Sequence, residues 1–311
     1  MIMNNQLSSN QFHGIIPPMI TPLLDWDTLD KTGLELLIDH ILSGGVQGLF
    51  LLGTTGEAPS LSHSLRKEII KRSLEQIGKK VPVLVGITDT SFVESINIAE
   101  YAADQGASAL VLAPPYYFPA GQVELLEFLE HLTPRLPLPL FLYNMPSHTK
   151  LFFEPETVKH ASKIPGIIGL KDSSANMVYF HQLQQLFKNN ENFRLFVGPE
   201  ELLGETLVLG GHGGVCGGAN LIPELYVNLY EASIEGDLQK MATLHESIMQ
   251  ISTTIYSVGK YKSSLLKGLK CSLSLMGICN DFMAEPFHKF RESERTLIRQ
   301  YLIDLGLKPV N

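Results

Sequence analysis

The chain has 311 residues, 44% of them hydrophobic and 18% charged. That is the composition of a folded globular protein, long enough for one large α/β barrel with an appendage or for two ordinary domains. Its formal net charge of −8 gives no basic footprint for nucleic acid, and no run approaches the ~20 apolar residues of a membrane span.

Residues 1–12 are polar and lack the basic and apolar regions of a signal peptide. They are expected to be a flexible segment. Three scattered cysteines, Cys216, Cys271 and Cys279, do not make a disulfide framework, and a cytoplasmic protein is expected. Residues 14–20 then read as a first strand. Residues 32–42 carry Leu34, Leu37, Ile38 and Ile41 at helical spacing and end at Gly44-Gly45.

From there the pattern alternates. Strands are expected at 48–52, 81–87, 108–113, 138–143, 167–171, 193–197 and 213–219. Helices are expected at 62–77, 91–105, 122–132, 154–163, 174–188 and 200–209. The strands are apolar throughout, as in a parallel sheet covered on its outer face. They recur about every 27 residues, and eight such units point to a (β/α)8 barrel over residues 13–221. A doubly wound open sheet gives the same alternation, but the count of eight favours the closed barrel. After residue 221 only helices are expected, at 223–234, 237–256, 260–276 and 292–305. Residues 222–311 therefore read as a C-terminal helical domain.

The most informative stretch is Ile167-Ile168-Gly169-Leu170-Lys171-Asp172. An apolar strand runs straight into a lysine, a residue seldom fully buried. At a barrel mouth, at the C-terminal end of the sixth strand, that lysine loses water around its ammonium. A neutral amine attacks carbonyls and forms Schiff bases. Taken alone, the segment reads more readily as a strand ending in a solvated surface lysine. The neighbours add weight. Tyr143 closes the adjacent fifth strand, and the turn Gly53-Thr54-Thr55-Gly56-Glu57 after the second can present N–H groups and hydroxyls to a carboxylate. Amine, phenol and anion-binding turn are what a Schiff-base enzyme acting on a 2-oxo acid needs.

These three stretches, with Tyr143 read as Tyr143-Asn144-Met145-Pro146, resemble the signatures of the dihydrodipicolinate synthase / N-acetylneuraminate lyase family, in order and spacing. The resemblance runs from Gly14 through the helical tail. It implies a barrel with a C-terminal helical domain, a homotetramer built from two tight dimers, and aldolase chemistry of the Schiff-base class with neither metal nor cofactor. It implies pyruvate, or a 2-oxo acid being cleaved, bound to Lys171, with an aldehyde as the other partner. Tyr143 would relay protons, Thr54 would hydrogen-bond it, and Tyr117 would complete the relay across the dimer interface. Thr55, with the glycines Gly53 and Gly56 of its turn, would hold the carboxylate. The carbonyl of Val215 would face the lysine adduct.

Departures from the family pattern bear on the substrate. His148 stands where the synthases carry an arginine for the second substrate's carboxylate, and a histidine is a weaker, titratable clamp. Lys150 could replace it as a point charge, although it reads more readily as a solvated loop lysine. Gly217 stands where the sialic-acid lyases have a serine. The pair Glu200-Glu201 resembles the acidic pair those lyases use on a polyol, and two glutamates opening a helix also simply complement its dipole. The reading is a pyruvate-forming aldolase or lyase. The synthase, the sialic-acid lyase and a non-catalytic 2-oxo acid binder on the same fold are its alternatives. A phosphate-binding barrel rests only on the glycine-rich run at 210–214, which precedes its strand. A metal enzyme has no ligand spacing to support it.

Overall fold

The computed structural model describes residues 9–310. Eight short strands run parallel: β1 (Gly14–Ile15), β2 (Leu49–Leu51), β3 (Val83–Gly86), β4 (Ala109–Leu112), β5 (Leu140–Asn144), β6 (Ile167–Asp172), β7 (Arg194–Val197) and β8 (Gly213–Gly214). Each pairs with the next from β2 to β8, and β8 pairs with β1. The circle closes just past β1. Pro18 bridges Phe50, the Phe50 N–H donates to the Pro17 carbonyl, and the Met19 N–H donates to the Phe50 carbonyl. The fold is therefore a (β/α)8 barrel and not an open sheet.

The first and last strands fall furthest short of the expected lengths. β1 stops before Pro17 and Pro18, which have no N–H for a ladder. β8 stops at Gly214 because residues Gly217–Asn220 coil into a 3₁₀ turn. The Asn220 side chain fixes that turn, accepting from the Ile20 N–H at 3.0 Å and donating to the Pro18 carbonyl at 2.9 Å. The glycine that opens β8 also has a steric reason. A Cβ on Gly213 would lie 2.0 Å from the Gly14 carbonyl oxygen, so only glycine lets β1 and β8 approach.

The outer ring contains α1 (Lys31–Ser43), α2 (His63–Ile77), α3 (Phe92–Asp104), α4 (Gln122–Leu132), the short α5 (Pro146–Thr149), α6 (Pro155–Ala161), α7 (Met177–Phe187), α8 (Leu203–Val208) and α9 (Pro223–Glu235). Asp30, Ser62, Ser91 and Asn176 cap α1, α2, α3 and α7 by accepting from the third residue beyond. Alternation along the strands makes two cores. Inward residues, including Phe12, Phe50, Phe141, Tyr143, Phe196 and Val215, fill the barrel. Outward ones pack beneath the helices.

Two expected boundaries move. Residues 1–8 lie outside the described residues, but Ser9–Gln11 form a 3₁₀ turn and Phe12 is fully buried, its ring edge-on to Phe141 at 5.2 Å. The expected flexible segment therefore does not extend to residue 12, because Phe12 plugs the barrel interior. At the other end, α9 belongs with the barrel. Pro223 packs on Gly44 at the end of α1, and Tyr230 hydrogen-bonds His13 beside β1 at 3.2 Å. It occupies the place of the helix after β8, so we place the division after α9 and not after Leu221.

The C-terminal layer then consists of α10 (Leu238–Thr253), α11 (Ser264–Leu275) and α12 (Glu292–Asp304). It is pinned to the turn after β2. The buried Glu57 pairs with the buried Lys270 of α11, and its other oxygen accepts from the Ala284 N–H at 2.9 Å. Lys270 also donates to the Phe282 carbonyl at 2.7 Å. Removing one member strands the other's charge. Lys270→Met is expected to lower stability by about 3–5 kcal/mol, read as a chemical denaturation midpoint. Adding Glu57→Gln should recover much of that loss, and an additive loss would contradict the pairing.

Candidate active site

The C-terminal ends of the strands and the helical layer enclose a cavity of about 930 Å³. Its floor is made by the strand ends. Lys171 and Tyr143 are register partners on β6 and β5, so both point inward, while Asn144 and Asp172, one residue on, point outward. The outward pair locks the strand ends together. Asn144 donates to Asp172 at 2.8 Å and accepts from the Phe153 N–H at 3.1 Å; Ser174 donates to Asp172 at 2.8 Å. Burial pushes the Asp172 carboxyl above the usual carboxylate range despite those bonds.

Lys171 is only 6% exposed. Its Nζ lies 4.2 Å from the centre of the Tyr143 ring and 5.2 Å from that of Phe50. Among the described residues no carboxylate lies within 4.0 Å of it. The amine thus sits against aromatic faces at the cavity floor, with no acid to occupy it. Tyr143 Oη is 3.2 Å from Thr54 Oγ1, which joins the phenol to the turn after β2 in a hydroxyl chain.

That turn divides its labour. Thr54 and Thr55 line the cavity. Among the described residues their N–H groups have no protein acceptor. Gly53 and Gly56 do not line the cavity, contrary to their expected binding role. The Gly56 N–H is spent on the Gly53 carbonyl at 3.1 Å, and a Cβ on Gly53 would meet the Phe50 ring at 2.7 Å. The glycines shape the turn, and the threonines present it.

Val215 lines the cavity, its N–H bound to the Val197 carbonyl at 2.8 Å. Tyr117 stands apart from the cavity, 77% exposed beside the equally exposed Phe118. His148 lines the cavity and accepts or donates at 2.9 Å to Ser147. Burial, then the charges of Lys150 and Lys262, lower its pKa below the usual histidine value, so it is neutral near pH 7. Lys150 does not line the cavity, and its Nζ donates to the Ser147 carbonyl at 2.8 Å.

Glu200 lines the cavity, but its carboxylate is already hydrogen-bonded within the protein. It is 3% exposed, and its carboxylate accepts from Tyr226 at 2.6 Å, Tyr256 at 2.8 Å and the Gly218 N–H at 2.9 Å. It ties the loop after β7 to the turn after β8, to α9 and to the segment after α10, and Glu201 accepts from Ser252 of α10. Burial outweighs the three hydrogen bonds and pushes the Glu200 carboxyl up to about 7. A raised carboxyl pKa gives stability that is fully present below the unfolded value near 4.5 and is lost as pH rises through about 7. The melting temperature should therefore fall across that window, with a flatter profile in Glu200→Gln. Equal slopes would contradict the assignment.

Sequence reasoning missed the contribution of the C-terminal layer, which brings Lys262, Lys267, Phe290 and Arg291 to the cavity wall. One signal was available. Lys267 and Lys270 interrupt an otherwise mostly apolar helix one turn apart, a place where lysines are seldom left without a task. Among the described residues no group of three or more His, Cys, Asp or Glu is placed to hold a metal ion. Among the described residues no helix is long and apolar enough to cross a membrane.

A closed barrel with an amine, a phenol and an amide-rich turn at one mouth has the parts of a Schiff-base lyase, and the family match assigns the chain to the pyruvate-dependent class of these enzymes. The chain belongs to the dihydrodipicolinate synthetase family, whose model matches residues 11–304. A 4-hydroxy-tetrahydrodipicolinate synthase of Methanopyrus kandleri is 31% identical over 96% of this chain and 98% of its own. The solved dihydrodipicolinate synthase of Bacteroides thetaiotaomicron is 57% identical, with a TM-score of 0.91 over 94% of this chain and 98% of that one. YagE, a family member from E. coli K12 solved in complex with pyruvate, is 30% identical with a TM-score of 0.90, over 96% of this chain and 99% of that one.

Proposed function

We propose that Lys171 is the imine-forming residue and that the chain is a pyruvate-forming aldolase or lyase acting on a 2-oxo acid. The observation that carries this is the position of Lys171: a buried amine, on aromatic faces and free of any carboxylate among the described residues, beside a phenol–threonine pair. Its Nζ adds to the ketone carbon, water leaves, and a protonated imine results. For cleavage, a base takes the proton of the C4 hydroxyl and the C3–C4 bond breaks. The electron pair passes into the imine to give an enamine, and the aldehyde departs. Protonation at C3 and hydrolysis then release pyruvate.

In this scheme Tyr143, linked to Thr54, carries the protons, and the hydroxyl chain spares any one member a full charge. The free N–H groups of Thr54 and Thr55 hold the carboxylate. Tyr117, exposed on the single chain, suits a role completed by a second copy in a dimer of dimers.

Condensation of pyruvate with aspartate semialdehyde is the second reading. The 57% identity to the Bacteroides thetaiotaomicron synthase favours it, and the neutral His148 in place of a fixed cation weighs against it. A panel of 2-oxo acids assayed for released pyruvate, with aspartate semialdehyde plus pyruvate alongside, decides between them. Faster cleavage of a 2-oxo acid than condensation supports the first reading. The reverse order overturns it.

A further inference from the structure

Two lysines one turn apart on α11 are both buried but treated differently. Lys270 is 1% exposed and is fully partnered by Glu57 and the Phe282 carbonyl. Lys267 is 7% exposed and has neither hydrogen bond nor ion pair among the described residues; its Nζ has only the face of Phe290, 5.9 Å from the ring centre. A buried ammonium without a counter-charge is costly. Lys267 lines the same cavity as Lys171.

Its surroundings are cationic. Lys262 lines the same wall, close enough to depress the pKa of His148. The nearby acids are already engaged: Glu200 by two tyrosines and a backbone N–H, Glu201 by Ser252, and Glu294 by Ser293.

We propose that Lys267, with Lys262, forms a second anion subsite that binds a carboxylate or phosphate at the end of the substrate remote from the carbonyl Lys171 attacks. The substrate class is then a 2-oxo acid with two anionic ends. This rests on the Schiff-base reading for the position of the first end.

The test uses pyruvate, 2-oxohexanoate, 2-oxoadipate and 2-oxopimelate with the wild type, Lys267→Met and Lys267→Arg. Calorimetric binding is measured first, and borohydride capture second. The wild type should bind at least one of the two diacids about 10- to 100-fold more tightly than 2-oxohexanoate. Lys267→Met should lose that preference while capturing pyruvate as before, and Lys267→Arg should keep it. Lys267→Met should melt no lower than the wild type, since it removes an unpaired buried charge. Lys262→Met should weaken the preference in a second, independent background. No diacid preference in the wild type, or a preference that survives Lys267→Met, overturns the subsite. An equal loss for pyruvate and diacids in Lys267→Met assigns that lysine to structure instead. Loss of borohydride capture with the calorimetric preference intact would fault the Schiff-base reading and leave the subsite standing. A 2-oxohexonate 6-phosphate run beside 2-oxoadipate separates phosphate from carboxylate as the preferred end.

Discussion

Lys171→Ala is expected to lose turnover by about 10⁴-fold or more, with the fold intact. Among the described residues Lys171 is the amine at the strand-end floor of the cavity, the other lining lysines belonging to the C-terminal layer. Lys171→Arg should be as inactive, because a guanidinium stays protonated and is no nucleophile. The side chain makes no ion pair among the described residues, so its loss leaves no buried charge behind. Initial rates and circular dichroism on the same preparations check this. Appreciable turnover in a folded Lys171→Ala protein would remove the residue from its proposed role.

Tyr143→Phe is expected to slow turnover by about 10²–10⁴-fold. The change deletes one oxygen and keeps the ring that lies 4.2 Å from Lys171 Nζ and fills the barrel interior, so the loss reports the hydroxyl alone. In the proposed relay Thr54, 3.2 Å from that hydroxyl, acts through it. Thr54→Val should therefore slow the wild type but add little to Tyr143→Phe, the non-additivity of residues that act as one unit. An unchanged rate in Tyr143→Phe, or fully additive losses, would contradict the relay.

The barrel was legible in the chain because its strands are buried on both faces and its helices on one, which writes two different periods into the sequence. It was least legible where tertiary contacts override local pattern. The strand expected at 213–219 lasts two residues, because Asn220 pulls the following turn back onto Pro18 and Ile20. The helix expected from residue 260 begins at Ser264, after Gly259 and Lys260 adopt left-handed backbone. Nothing in the local sequence announces either contact.

The site divides in the same way. Lys171, Tyr143 and Thr54 come from strand ends and one turn, so knowing the barrel was enough to bring them together. Gly53 and Gly56 shape the turn without lining the cavity, and Glu200 lines it with a carboxylate already held by two tyrosines and a backbone N–H, a distinction that depends on which hydrogen bonds are already taken. Lys267 and Lys270 share a helix and a burial, and only the fold reveals that Glu57, from the far end of the chain, reaches one and not the other.

The most direct measurement is mass spectrometry of the protein reduced with borohydride in the presence of pyruvate. The expected product is a single stoichiometric adduct on the peptide that contains Lys171, absent from Lys171→Ala. An adduct carried by a different lysine, or none at saturating pyruvate, would contradict the account at its foundation.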